Sequence, residues 1–266
     1  MRSQSRSVRA DGSPSPPGAG RGGRAGDPPH PALPRTALGR RIKLVAYQCI
    51  RWTVIALLRL LVGFTVVGAR RMPRRGPVIL VSNHLHNFDP IVLGAAVPRP
   101  VFYMAKRELF QHPAFRWLLR NFGGFPVNRA AIDRAALRQV AALLDAGLVV
   151  GVFPEGTRSV TGALNQVHSG VALLALQSGA PILPIGVTGT EDLPLDAKAA
   201  RRPRRRRRSR VRVVVGEPFT LPPRRPGEKQ DLAALTERIM LEVAALLPPA
   251  YRGAYADQVP PAESKA

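Results

Sequence analysis

Two residues of types that transfer protons, His84 and Asp89, stand five positions apart directly after the apolar run Val78–Ser82. A carboxylate that accepts a hydrogen bond from one imidazole nitrogen fixes the tautomer of the ring and leaves the other nitrogen as a base. The chain contains no Gly-x-Ser-x-Gly turn that would present a serine nucleophile. The pair therefore predicts a general base that takes a proton from a hydroxyl group of a bound molecule.

The same stretch also allows a purely structural interpretation. Pro90 suits the first position of a helix, so Asp89 could serve only as the N-cap residue before it. The other histidines nearby are interpreted as non-catalytic. His86 would be a solvated loop residue, and His112 a surface or packing residue.

A second cluster follows the apolar run Leu148–Phe153. Phe153-Pro154-Glu155-Gly156 fits a type I turn, with proline at the second position and glycine at the fourth. The turn accounts for the proline and the glycine, but not for Glu155, Thr157 and Arg158 beside them. The segment is therefore a candidate binding loop.

Arg158 has a counterpart in Arg129, which follows the apolar run Gly124–Val127. A guanidinium group binds phosphate through two parallel hydrogen bonds, so two arginines at neighbouring strand ends could form a fork for phosphate. Either arginine alone is more simply interpreted as a solvated surface charge. Together they predict a phosphate-bearing ligand.

Alternating strands and helices must position these residues. Short apolar runs bounded by Gly or Pro predict strands, and the segments between them have helical patterns. The strands are Phe64–Val67, Val78–Ser82, Val101–Ala105, Gly124–Val127, Leu148–Phe153, Pro181–Val187 and Val211–Val215; the helices are Pro90–Val97, Glu108–Asn121, Ala131–Ala146, Val167–Ser178 and Asp231–Leu247. This alternation predicts an α/β fold with a mainly parallel sheet flanked by helices. Ligands bind beyond the carboxyl ends of such strands, so His84, Arg129 and Glu155 should meet at one edge.

Four motifs occur in the order and spacing of the glycerolipid acyltransferases, and the chain resembles that family over about residues 60–220. The resemblance implies the glycerol-3-phosphate acyltransferase type of α/β fold. The motifs are Asn83-His84-x4-Asp89, Gly124-Phe125-Pro126-Val127-Asn128-Arg129, Phe153-Pro154-Glu155-Gly156-Thr157-Arg158-Ser159 and Pro181-Ile182-Leu183-Pro184-Ile185.

The resemblance also implies roles for individual residues. His84 would be the base on the acceptor hydroxyl, and Asp89 would orient it. Pro184 would shape the site near the acyl donor. The residues expected to hold the acceptor phosphate are Arg129, Glu155, Gly156, Thr157 and Arg158.

The implied reaction moves a fatty acyl group from acyl-CoA or acyl carrier protein to the free hydroxyl of 1-acyl-glycerol 3-phosphate, which forms phosphatidic acid. Another lysophospholipid, glycerol 3-phosphate or a glycolipid stay open as acceptors. No metal or redox cofactor is implied.

Two positions depart from the family pattern. The family often has serine where this chain has His86, and an aromatic-Lys-x-Gly segment where it has Val167-His168-Ser169-Gly170. His168 would either replace that lysine as a pH-dependent cation or cap a helix.

The N-terminal region divides into two predicted parts. Residues 1–40 are interpreted as a disordered basic tail, since 13 of the 25 residues from Asp11 to Arg35 are Gly or Pro. Residues 41–62 predict an amphipathic helix in the membrane plane, with Arg51 and Arg59 toward the headgroups. Its opposite, apolar face would contain Leu44, Val54, Ile55, Leu58 and Leu61. The alternative is a helix that simply packs on the domain. The acyltransferase domain is expected over residues 63–255, followed by a flexible C-terminus at 256–266.

A formal net charge of +23 predicts an anionic partner. Eight arginines between Arg201 and Arg210 form an expected exposed loop that would attract anionic lipid. The chain is therefore expected to be peripheral or monotopic on the cytoplasmic face of a membrane, without a specific nucleic-acid partner. A non-catalytic binder of membrane surfaces or nucleic acid is the alternative. The apolar content of 45% excludes full disorder, and the single cysteine, Cys49, excludes a disulfide framework.

Overall fold

The computed structural model describes residues 37–121, 123–127, 134–165, 167–193, 210–223 and 230–259. Within these residues the chain forms six α-helices and seven strands. The helices are α1 (Ala37–Val62), α2 (Asp89–Ala96), α3 (Pro113–Asn121), α4 (Arg134–Asp145), α5 (Gly170–Ser178) and α6 (Leu232–Ala245). The strands are β1 (Thr65–Val67), β2 (Val78–Ser82), β3 (Val101–Lys106), β4 (Gly124–Val127), β5 (Val149–Val152), β6 (Ile182–Thr188) and β7 (Arg212–Val215).

The seven strands form one sheet in the order β1-β7-β6-β2-β5-β3-β4. Neighbouring strands are parallel except β6 and β7, which are antiparallel. The predicted mainly parallel sheet is confirmed. Every residue of β2 is buried, which fits a central strand covered on both faces.

Helices cover both faces of the sheet. Successive strand side chains point to opposite faces, so Ile79 and Val81 pack in one apolar cluster with α4, α5 and α6. Val78 and Leu80 pack in a second cluster with residues of α1 and α2. Burying each such side chain stabilises the fold by about 1.5–3 kcal/mol. The loop after β2 therefore starts from a strand that is anchored on both sides.

Helix α1 lies with one face on the domain. Tyr47 and Ile55 are buried, and the Tyr47 hydroxyl donates a hydrogen bond to the carbonyl of Gly94 in α2 at 3.0 Å. Arg51 is four positions from both residues and is half-buried on the same face, since residues four apart on a helix are neighbours. The face that contacts the domain therefore runs through an arginine.

The predicted orientation of α1 is wrong in part, because Ile55 was expected on the apolar face toward lipid but is buried against the domain. Leu44 and Leu61 were expected on the same apolar face, and they are 49% and 68% exposed. The large hydrophobic side chains of α1 that are exposed are those of Leu44, Val45, Trp52, Leu57, Leu60 and Leu61. By length and composition, Leu44–Val62 could also cross a membrane, so the in-plane placement stays a prediction.

Three predicted boundaries need correction. Helix α1 begins at Ala37, inside the segment expected to be a tail. The expected helix over 108–121 is interrupted before Pro113: a 3₁₀ turn covers Arg107–Phe110 and α3 starts at Pro113, since proline suits a first turn. The domain continues past residue 255, because Val259 is buried. Residues 1–36, 201–209 and 260–266, with their predicted tail, arginine run and C-terminus, lie outside the described residues, as does Arg129.

Candidate active site

The loops after β2 and β5 meet at the carboxyl edge of the sheet. The two strands pair in parallel, with Val81 opposite Val152, so both chains leave the sheet in the same direction. His84 stacks on Phe153 with 4.2 Å between the ring centroids. The prediction that these two strand ends converge is confirmed.

His84 and Asp89 form a buried hydrogen-bonded pair. His84 Nδ1 lies 2.8 Å from Asp89 Oδ2, and the two residues are 8% and 0% exposed. An ionised carboxylate only accepts hydrogen bonds, so Nδ1 carries the proton and Nε2 is left as the basic nitrogen. The geometry matches the predicted orienting role of Asp89.

Asp89 does not act as the helix N-cap that the sequence also allowed. Helix α2 begins at Asp89 itself, and the preceding Phe88 occupies the N-cap position. The Asp89 carboxylate turns back toward the loop, where Oδ2 also accepts the backbone N–H groups of Leu85 at 2.6 Å and His86 at 2.7 Å. One oxygen therefore binds the His84 ring and holds the loop that carries it.

Phe153 and Tyr103 support the His84 ring from one side. The Phe153 ring is inclined by 24° to His84 and lies 5.9 Å from the Tyr103 ring, measured between centroids. Tyr103 is fully buried, so the stack rests on the core. This role was missed, and the signal for it is that Phe153 begins the predicted turn after β5.

Glu155 contacts the backbone of His84. Its Oε1 accepts the His84 N–H at 3.0 Å, and the residue is 5% exposed. Burial raises the pKa of this carboxyl, while hydrogen bonds from the backbone N–H groups of His84 and Asn165 oppose the rise. Glu155 was expected in a phosphate site, whereas the observed contact is with the backbone of His84. A carboxylate also repels phosphate, so we assign Glu155 to positioning.

Ser159 holds the other side of the His84 main chain. Its backbone N–H donates to the His84 carbonyl at 2.8 Å. The loop after β5 therefore binds both the N–H and the C=O of His84. Ser159 belongs to the motif that begins at Phe153, but neither its type nor its position in the chain indicated this contact.

The predicted turn over Phe153–Gly156 is confirmed. The Gly156 N–H donates to the Phe153 carbonyl at 3.0 Å. Gly156 has φ +66°, and a Cβ there would lie 3.1 Å from Cδ2 of His168. Glycine is therefore required both by the backbone conformation and by the neighbouring ring.

His168 lies beside this turn, with its backbone N–H bound to the Pro154 carbonyl at 3.0 Å. Its side chain is exposed, and α5 begins two positions later with Ser169 at the N-cap. His168 therefore does not occupy the cap position. Its alternative role as a pH-dependent cation stays a prediction.

His86 is buried rather than solvated, contrary to expectation. It is 1% exposed, and its Nδ1 accepts the backbone N–H of Phe88 at 3.2 Å. Burial lowers its pKa; the negative charge of Asp89 opposes this shift, and the positive charges of Arg158 and His84 add to it. The contact with the Phe88 backbone makes His86 a support of the loop.

The remaining predicted residues occupy different environments. Thr157 is exposed and Arg158 is half-buried, and both lie on the loop that contacts His84. Pro184 is buried in β6 opposite Val81 in β2, and a Cβ on Gly216 would lie 2.8 Å from its Cγ. The structure therefore brings Thr157 and Arg158 near the base and places Pro184 within the sheet.

The Asn83 side chain links the start of the loop after β2 to β6. Its side-chain nitrogen donates to the Val187 carbonyl, and its Oδ1 accepts the Val187 N–H, both at 2.8 Å. The amide continues the contact between β2 and β6 just before His84. In the described part of the chain, no group of three or more His, Cys, Asp or Glu residues could hold a metal ion.

Comparisons with known proteins found similar sequences and structures. The family model described as Acyltransferase matches residues 63–188. A 1-acyl-sn-glycerol-3-phosphate acyltransferase of Borreliella burgdorferi is 32% identical over 129 residues, which are 48% of this chain and 52% of that protein. The Bacillus subtilis protein of the same name is 28% identical over 69% of this chain and 88% of its own length. The chain thus spans about half the length of the first relative and most of the second.

Two further similarities concern the acceptor class and the fold. A lyso-ornithine lipid O-acyltransferase of Pseudomonas aeruginosa is 29% identical over 60% of this chain and 61% of that protein. The crystal structure of the 1-acyl-sn-glycerophosphate acyltransferase of Thermotoga maritima superposes with a TM-score of 0.60 at 23% identity, covering 80% of this chain and 83% of that chain. That structure shares the fold. Through residues 63–188, the chain is therefore similar to the acyltransferase family.

Proposed function

We propose that this enzyme transfers a fatty acyl group from acyl-CoA or acyl carrier protein to the free hydroxyl of 1-acyl-glycerol 3-phosphate. The observation that carries the proposal is the buried His84–Asp89 pair, 2.8 Å apart, at the carboxyl edge of the sheet. His84 Nε2 removes the hydroxyl proton, and the oxygen attacks the thioester carbonyl. The carbon–sulfur bond then breaks, the proton passes to the departing thiolate, and phosphatidic acid forms.

Arg158 is the proposed contact for the acceptor phosphate, together with Arg129, Thr157 and the backbone at Gly156. In support, Arg158 is half-buried on the loop that binds the His84 main chain. Its positive charge also helps to lower the pKa of His86, so it lies close to the loop after β2. We further propose that Pro184 shapes the fold near the acyl donor through its place in β6.

A panel of acceptors tests the proposal. The purified full-length chain is mixed with labelled acyl-CoA or acyl carrier protein and with lysophosphatidic acid, other lysophospholipids, glycerol 3-phosphate, or the phosphate-free lyso-ornithine lipid. We expect the highest kcat/KM with lysophosphatidic acid. Faster transfer to the phosphate-free acceptor would contradict the proposed acceptor. The lyso-ornithine arm is included because one relative carries that name.

Replacing Arg158 by lysine is expected to raise the KM for lysophosphatidic acid about tenfold, because an ammonium group loses the two-bond geometry on phosphate. The KM for a phosphate-free acceptor should change little. Arg138→Lys is the matched control, since Arg138 is exposed on α4. An unchanged KM for lysophosphatidic acid in Arg158→Lys would remove Arg158 from the phosphate site.

We also propose that the exposed face of α1 rests on the cytoplasmic face of a membrane as a peripheral or monotopic contact. Leu60 and Leu61 are 76% and 68% exposed on a helix that is apolar along most of its length. Lipid would cover these side chains, and the +23 net charge would favour anionic headgroups.

Changing both Leu60 and Leu61 to glutamine is expected to weaken binding to vesicles with acidic lipid about tenfold or more. The reason is that the variant no longer transfers two leucine side chains from water into lipid when it binds. Val67→Gln is the control, since Val67 is exposed but lies in β1. Co-sedimentation with vesicles measures the bound fraction at rising salt, which screens exposed charges beyond about 8 Å at physiological ionic strength. Equal binding to neutral and acidic vesicles would exclude the electrostatic contribution.

A further inference from the structure

The last described segment of the chain returns to the catalytic region. We call residues 249–259 the C-terminal strap; it contains the 3₁₀ turns Pro249–Tyr251 and Gly253–Gln258. The Leu164 N–H donates to the Tyr251 carbonyl at 3.0 Å, and the Ala254 N–H donates to the Leu164 carbonyl at 3.4 Å. The strap therefore holds the main chain of Leu164 from both sides.

The strap is itself fixed to the core. Arg252 is 6% exposed, and its guanidinium donates to the carbonyls of Leu247 at 3.0 Å and Val259 at 3.4 Å. Tyr255 is buried in the same apolar cluster as α6. The Tyr251 hydroxyl donates to the Glu191 carboxylate after β6. These contacts make the strap a rigid support for Leu164.

Short contacts continue from Leu164 to the catalytic base. The Ser159 hydroxyl donates to the carbonyl of Ala163, the residue before Leu164, at 2.6 Å, and accepts the Gly162 N–H at 3.0 Å. The Ser159 N–H then donates to the His84 carbonyl at 2.8 Å. The path from the strap to His84 thus runs through three residues of one loop, Leu164, Ala163 and Ser159.

We propose that the C-terminal strap is a positioning element for His84. It holds Leu164, Leu164 and Ala163 hold Ser159, and Ser159 holds the main chain of the base. This inference rests on the proposed acyl transfer, because a base must stand within hydrogen-bond distance of the hydroxyl that it deprotonates. A misplacement of about 1 Å lowers turnover by up to about 10²-fold.

Gly253 offers a way to disturb the strap alone. It has φ +51°, and a Cβ there would lie 2.2 Å from the Leu164 carbonyl oxygen, so alanine must displace the strap from Leu164. Gly76 provides the matched control. It has φ +80° with nothing within 4 Å of a Cβ, so Gly76→Ala introduces the same backbone strain without the displacement.

Hydrogen exchange tests the mechanical part without any substrate. Peptides that cover residues 84–86 and 159–165 should exchange roughly tenfold faster in Gly253→Ala than in Gly76→Ala, because the hydrogen bonds that protect them open more often. Equal exchange in the two variants would overturn the proposed connection. This readout does not depend on acyl transfer, so it separates a failure of the strap from a failure of the proposed function.

Kinetics test the effect on the base. Gly253→Ala should lower kcat roughly 3- to 10-fold, with the KM for the acceptor within about twofold, after circular dichroism confirms the fold. Ser159→Ala removes the hydroxyl but keeps the N–H that binds His84, and should act in the same direction. The double variant should be no worse than the more damaging single one, since residues in one network are not additive. The positioning role would be overturned if kcat is unchanged in Gly253→Ala. It would also be overturned if the two single losses of kcat multiply in the double variant.

Tyr251→Phe serves if Gly253→Ala does not fold. It removes only the hydroxyl that binds Glu191 and leaves the backbone contacts with Leu164 in place. We expect a smaller loss of kcat in the same direction and faster exchange over residues 159–165. Unchanged exchange and unchanged kcat in this variant would overturn the proposal as well.

Discussion

Replacing His84 by alanine is expected to lower acyl-transfer turnover by about 10²- to 10⁴-fold, the usual contribution of a general base. Asp89→Asn should also be costly, because an amide can donate to Nδ1 and so favour the wrong tautomer. The double variant should be little worse than His84→Ala, because the two residues act as one unit. Steady-state kinetics with labelled acyl donor measure all three variants, and circular dichroism checks that each is folded.

His86→Ser is the matched control for this series. His86 lies on the same loop as His84 and is also buried. Its ring binds the Phe88 backbone, whereas the His84 ring binds the Asp89 side chain. We expect a mild effect. Near-normal turnover in His84→Ala together with a loss in His86→Ser would make His86 the base. An inactive wild-type chain that still binds anionic vesicles or nucleic acid would favour the non-catalytic alternative.

Replacing Glu155 by alanine is expected to lower kcat about 10²-fold, although Glu155 is not proposed to touch substrate. Alanine leaves the buried His84 N–H without its acceptor, which lies at 3.0 Å in the wild type, and frees the catalytic loop to shift. Glu155→Gln keeps an amide oxygen at this position and should retain kcat within about tenfold of wild type. Equal losses in both variants would show that the negative charge, rather than the hydrogen bond, matters.

Glu155→Gln is also expected to change the stability of the fold. Burial raises the pKa of Glu155 above its unfolded value, so between the two pKa values the folded state binds more protons than the unfolded state. This group therefore destabilises the fold as the pH rises through its folded pKa. Glu155→Gln should melt at a higher temperature than wild type at neutral pH, and the difference should shrink as the pH falls toward the unfolded pKa. A constant difference across that range would contradict the assignment of the shift to Glu155.

Local spacing was enough to predict the chemistry of the site. His84 and Asp89 are separated by one short loop, so a strand, a turn and a helix start bring them together without help from the rest of the fold. The turn over Phe153–Gly156 was predictable for the same reason, because proline and glycine restrict the backbone locally. The parallel sheet followed from the alternation of strands and helices, which admits few topologies.

Contacts between distant segments were decided by the tertiary structure. Glu155 reaches the His84 N–H across 71 positions because β2 and β5 are neighbours, and strand order depends on the packing of the whole sheet. The burial of His86 and the outward leucines of α1 likewise depend on which surface each element meets. Motif spacing therefore predicted which residues would take part in the proposed acyl transfer. Packing decided what supports His84, because the contacts from Glu155, Ser159 and the C-terminal strap join segments that lie far apart in the sequence.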